Sequence, residues 1–203
     1  MGDNTIYGED GNDTITGGTG LDTIYAGSGD DNVLVTSNRT NYIEGQEGDD
    51  TITGGSGSDQ IYGNDGDDTL TGTAGSNYIY GGAGNDTITG GTGNDIIYGD
   101  YGSNSTAQAS SGSGEGDDSI NANSGQNIVF GGAGNDELTA GIGNDILIGD
   151  YGRVSGTTVT VDNSAGGNDE ISASSGYNLM IGGAGNDELN AYDSRNNVLV
   201  GDN

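Results

Sequence analysis

Aspartates recur in this chain at intervals of nine residues or multiples close to it: Asp13, Asp22 and Asp31; Asp50, Asp59 and Asp68; Asp86 and Asp95; Asp118; Asp136 and Asp145; Asp169; and Asp187. Each closes a glycine-rich phrase, and residues 81–98 spell that phrase twice, GGAGNDTITGGTGNDIIY. Carboxylates are hard oxygen ligands, and glycine turns leave backbone carbonyls open. Together they suit Ca²⁺, which takes about 6–8 oxygens of these two kinds, better than Mg²⁺, which demands a tighter octahedron and keeps its water. Other chemistry lacks its groups. With no His and no Cys, zinc, haem and most nucleophilic catalysis have no ligand or base. Carboxylate pairs of the glycosidase kind are formally available. Every regular aspartate, however, is better used as a ligand, and no solitary acid stands in an expected cleft, so no enzymatic activity is expected.

Composition points the same way. A chain of 203 residues with net charge −29 and 29% hydrophobic residues buries too little to offset chain entropy and repels itself. Something cationic has to complete it. Three basic residues, Arg39, Arg153 and Arg195, leave nothing with which to hold phosphates or anionic lipid. No hydrophobic run reaches transmembrane length, and no signal peptide is visible.

The elements that position the aspartates follow from their register. With each aspartate numbered 6 in its nine-residue unit, position 8 is Ile15, Ile24, Val33, Ile43, Ile52, Ile61, Leu70, Ile79, Ile88, Ile97, Ile120, Val129, Leu138, Leu147, Ile171, Met180, Leu189 and Val198. All are apolar. Positions 7 to 9 then form a short strand with position 8 turned inward. The six remaining residues turn, helped by glycines that accept positive φ. Two units make a coil of 18 residues, coils stack at about 4.8 Å, and the strands build two parallel sheets around a thin core. The turns fall into two columns.

GGTGLDTIY, GGSGSDQIY, GGAGNDTIT and GGTGNDIIY resemble the nonapeptide G-G-x-G-x-D-x-U-x of the repeats-in-toxin (RTX) family. The resemblance covers nearly the whole chain and implies an all-β, right-handed parallel β-roll, a solenoid with calcium between successive turns. It also implies export by a type I system, hence a secreted or bacterial cell-surface location. About 12–16 Ca²⁺ would offset the charge.

The two columns differ. One reads Asp13, Asp31, Asp50, Asp68, Asp86, Asp118, Asp136, Asp169 and Asp187 without exception. The other alternates Asn4, Asp22, Asn41, Asp59, Asn77, Asp95, Asn127, Asp145, Asn178 and Asn196. Like charges stacked roughly 5 Å apart repel by about 1 kcal/mol in water and about 4 kcal/mol at intermediate dielectric, so the acidic column needs counterions. Asn keeps a ligating oxygen without the charge. One complete calcium column is therefore expected beside a second with weaker or empty sites, among them Asn77, Asn127 and Asn178. The turns VTSNRTN (35–41) and AYDSRN (191–196) lack glycine, and neither is expected to make a normal site.

The chain reads as one continuous roll over 1–203 with two insertions in its turns, a flexible loop at 99–112 and a small hairpin around Ser155-Gly156 at 149–163. It starts within a unit and stops where a further enlarged turn would begin, as expected for a segment of a longer repeat protein. One sheet turns outward Tyr7, Tyr25, Tyr62, Tyr80, Tyr98, Phe130, Ile148, Ile181 and Leu199, an apolar face open to a partner, to self-association or to coverage by the insertions. The other carries threonine rows, Thr51/Thr53, Thr69/Thr71 and Thr87/Thr89. The leading function is a structural module that folds on calcium after export. The alternative is a binding module using the aromatic or threonine face for a protein, a glycan or ice.

Overall fold

The computed structural model describes residues 2–103, 108–109, 116–162, 166–193 and 196–201. Among these the chain is all β. Alternate strands enter a 10-stranded and a 9-stranded sheet, and every pairing within both is parallel. Each strand therefore hydrogen-bonds to the strand one coil away. Thr51–Thr53, Thr69–Thr71 and Thr87–Thr89 pair in register, which stacks the threonine rows. This is a β-solenoid of about 10 turns with roughly 18 residues per turn. Among the described residues no helix is long and apolar enough to cross a membrane.

The core is a thin layer to which each sheet contributes one row of side chains. Ile24, Ile43, Ile52, Ile61, Leu70, Ile79 and Ile97 are fully buried and run in file between the sheets, extended by Leu138, Leu147, Ile171 and Met180. Because so little else is apolar, each of these side chains matters. Ile79→Ala is expected to destabilise the calcium-loaded protein by about 2–5 kcal/mol, the usual cost of emptying a core site. Thermal melts in calcium check the value.

The register departs from the sequence reading at the last coil. Leu179 pairs with Val198, Met180 with Leu199 and Ile181 with Val200. The inward position is Leu199 rather than Val198, the outward one is Val200, and the column residue is Asn197 rather than Asn196, because the turn after Ala191 holds one residue more than nine-residue counting allows. Several strands are also longer than three residues. Thr23–Ser28, Tyr42–Glu47 and Gln60–Asp65 run through the glycine into the next unit, since Gly27, Gln46 and Asn64 continue the ladder.

The aromatic ladder has one irregularity and one cover. Glu44 stands where a tyrosine is due, between Tyr25 and Tyr62. Tyr42, two residues earlier on the same strand, leans into the gap, with ring centroids 6.0 Å from Tyr25 and 5.4 Å from Tyr62, and donates its hydroxyl to Glu44. Burial and the Glu44 carboxylate hold the Tyr42 hydroxyl well above its usual pKa. Further along, Tyr62, Tyr80, Tyr98 and Phe130 stack nearly parallel at 4.7–5.2 Å.

The cover is the hairpin Tyr151–Ser155 and Thr158–Asp162, which lays Tyr151 and Val154 on Tyr98, Phe130 and Ile148. Those three ladder residues are 0% exposed, whereas Tyr7 at the other end is 66% exposed. Of the readings open for this face, coverage by an insertion holds at Tyr98, Phe130 and Ile148. Strand Gln108–Ala109 pairs with Gly102–Ser103 and joins the hairpin opposite Arg153. Of the loop expected at 99–112, residues 104–107 and 110–112 lie outside the described residues.

Candidate metal centre

Each column residue sits where its strand begins, with its side chain turned along the stack toward the neighbouring coil. In the acidic column the backbone N–H of one aspartate donates to Oδ1 of the next: Asp31 to Asp50, Asp50 to Asp68, Asp68 to Asp86 and Asp86 to Asp118, all at 2.8 Å. The ladder continues through Asp136 and Asp169 to Asp187. It crosses both insertions without a break, since Asp86 reaches Asp118 and Asp136 reaches Asp169. In the second column the bonds run from Asn4 to Asp22, Asn41, Asp59, Asn77, Asp95, Asn127, Asp145, Asn178 and Asn197.

One oxygen of each carboxylate is thus engaged, and the other is not. Oδ2 of Asp13, Asp22, Asp31, Asp50, Asp59, Asp68, Asp86, Asp95, Asp118, Asp136, Asp145, Asp169 and Asp187 is buried and accepts no hydrogen bond. These are the thirteen aspartates that the sequence spacing singles out. A buried carboxylate oxygen without a partner costs several kcal/mol unless something cationic meets it.

The space these oxygens face is a cradle. A methyl added at Gly63 would overlap Asp68 Oδ2, and one added at Gly81 would overlap both Asp86 Oδ2 and the carbonyl oxygen of Gly99 in the next coil. In the second column the fit is looser. A methyl at Gly90 would come 2.8 Å from Asp95 Oδ2, and Ala140 stands at the matching place before Asp145. Carboxylate and carbonyl oxygens therefore converge with no donor among them. Among the described residues no three acidic side chains meet at one point, so backbone carbonyls have to furnish much of any coordination shell. Hard oxygens of mixed charge in a flexible shell fit Ca²⁺.

Electrostatics agree. Burial pushes the Asp50 and Asp59 carboxyls up to about 6, those of Asp68, Asp118 and Asp169 to about 7, and those of Asp86 and Asp136 to about 9. The backbone N–H of the preceding coil opposes the rise, and neighbouring carboxylates in the acidic column add to it. Burial likewise raises Asp95 and Asp145.

The second column shows what such a corner looks like when a donor fills it. Asn41 Nδ2 donates to Arg39 O and Asp59 Oδ1, both at 2.8 Å, and lies 3.4 Å from Gly54 O. Asn77 Nδ2 lies 3.0 Å from Asp95 Oδ1, 3.4 Å from Gly90 O and 3.5 Å from Ala74 O. At Asn127 and Asn178 the amide nitrogen is buried without a hydrogen bond. The two glycine-poor turns are closed by side chains. Ser37 Oγ donates to Gly20 O at 2.5 Å and accepts from Arg39 N, while Asp193 accepts from Gly176 N and from the Asn197 amide.

Spacing alone missed two buried acids. Asp100 Oδ2 accepts from Ala133 N at 2.8 Å and from the Tyr151 hydroxyl at 3.1 Å, and Asp150 Oδ2 accepts from Ala184 N. The signal was present in the twice-used phrase Gly-Asp-Tyr-Gly, which opens both insertions. A second, exposed ladder also escaped notice, in which Asp67 N donates to Asp49 Oδ1 and Asn85 N to Asp67 Oδ1.

The family model for the RTX calcium-binding nonapeptide repeat (4 copies) matches residues 1–33, 35–70, 71–105, 113–152 and 164–198. The chain belongs to the RTX calcium-binding nonapeptide repeat family. A comparison with curated proteins gives no match. As an RTX solenoid it is a calcium-binding repeat module of a structural repeat family. The matched segments contain all thirteen aspartates with an unengaged Oδ2.

Proposed function

We propose that this RTX module is folded by calcium outside the cell, with ions held in the corners opened by the thirteen aspartates. The observation that carries the reading is the row of buried Oδ2 atoms without donors. Without a cation, each ionised corner opposes the stacking of the next coil. With one, binding free energy becomes folding free energy. RTX repeats are typical of secreted bacterial proteins. The calcium-poor cytosol would keep such a chain unfolded and fit for threading through an exporter, and millimolar calcium outside would coil it.

Circular dichroism at neutral pH tests this. In chelator the chain is expected to give an unfolded spectrum, and calcium titrated to the millimolar range is expected to bring in the β signal cooperatively. An equal β signal in chelator would contradict the proposal.

A further inference from the structure

We propose that Asn4, Asn41 and Asn77 are built-in substitutes for the cation, so that the second column takes calcium only in the gaps opened by Asp22, Asp59, Asp95 and Asp145. This rests on the calcium reading above and specifies which gaps take ions.

Hydrogen bonding fixes the orientation of the amides. In each coil the column residue's δ1 oxygen accepts from the backbone N–H of the coil before, as Asn41 Oδ1 does from Asp22 N at 3.0 Å and Asn77 Oδ1 from Asp59 N at 2.9 Å. A flipped amide would set N–H against N–H and lose that bond. The oxygen is therefore committed, and Nδ2 has to face the corner. An asparagine oxygen does not reach the gap that its own residue opens.

The nitrogen then meets the oxygens that a cation would meet. For Asn4 these are Gly2 O at 3.0 Å, Gly17 O at 3.2 Å and Asp22 Oδ1 at 2.7 Å. The sets around Asn41 and Asn77 are equivalent: a carbonyl of its own turn, the first carbonyl of the next turn and the next aspartate's Oδ1. Where aspartate stands instead, the same corner holds Oδ2, an acceptor among acceptors. Aspartate and asparagine are nearly isosteric, so the alternation changes only whether the corner is completed from within or from solution. The partial positive charge of the amide hydrogens also excludes a cation. Asn127 and Asn178 present the same face, since their Oδ1 atoms accept from Asp95 N and Asp145 N.

Metal stoichiometry tests the inference. The full chain is loaded with calcium, freed of excess ion by gel filtration and counted by native mass spectrometry or elemental analysis. Asn77→Asp and Asn41→Asp are each expected to add one ion, and the double variant two. Asp95→Asn is expected to remove one ion and keep the β spectrum in calcium. It provides the decisive count should an added carboxylate prevent folding. An unchanged count in folded Asn77→Asp, or in Asp95→Asn, overturns the inference while leaving calcium-driven folding intact. A wild-type chain that takes up no calcium overturns the underlying reading, and the inference with it.

Discussion

Asp86→Ala is expected to lower the stability of the calcium-loaded module by about 3–5 kcal/mol, the usual cost of stripping one partner from a buried ionic contact. The carboxylate serves two gaps. Its Oδ1 takes the Asp68 N–H, and its Oδ2 lies beside Gly99 O in the following cradle. Alanine leaves the buried N–H without an acceptor and the cradle without its charge. Asp86→Asn is expected to behave differently. It retains the acceptor for Asp68 N and places an amide where Gly99 O can accept, as Asn77 does with Gly90 O. That variant should lose one ion, lose far less stability in calcium, and gain stability in chelator, where the wild-type carboxylate is a burden. Melting curves with and without calcium, alongside an ion count, separate the two variants. Equal destabilisation by both would contradict the geometry.

The metal-free chain is expected to fold in acid and unfold toward neutral pH. An unfolded aspartate titrates at about 3.9, whereas burial raises Asp50 to about 6, Asp68 to about 7 and Asp136 to about 9 in the coiled state. Between those values the folded chain binds more protons than the unfolded one, so stability falls as pH rises. The stability of the metal-free coil is intact below about pH 4 and is lost progressively as pH rises through the 6 to 9 range of the raised carboxyls. A protonated Oδ2–H donates into the corner as an asparagine amide does. In calcium the slope reverses, because the ligands must be deprotonated and acid releases the ions. Circular dichroism against pH in chelator and in calcium should give two opposed curves. A metal-free signal that grows with pH would refute the assignment of the buried carboxyls.

Much of this was legible in the sequence because the chain repeats itself. Eighteen apolar residues in one register, Ile15 to Val198, could only be a thin file between two sheets, and seventeen of them stand there. The miss, Val198, shows the limit of counting. Nothing in Ala191–Asn197 marks the extra residue, and only pairing with Leu179 and Met180 reveals it. Family membership was equally readable from the nonapeptide. The direction of the asparagine amides was not, since it depends on which atom the neighbouring coil's N–H engages. The Tyr42 ring entering the place left by Glu44 is also a contact between coils, invisible along the chain. Asp100 and Asp150 lay outside the nine-residue register, marked only by the repeated phrase Gly-Asp-Tyr-Gly.

On the proposed reading, calcium occupies the corners where Oδ2 has no donor. Anomalous diffraction from crystals grown in calcium tests it most directly. A peak is expected about 2.3–2.6 Å from Oδ2 of each of the thirteen aspartates, the Ca–O distance, and none beside Nδ2 of Asn41 or Asn77. Ordered water at those oxygens, with no anomalous signal along either column, would contradict it.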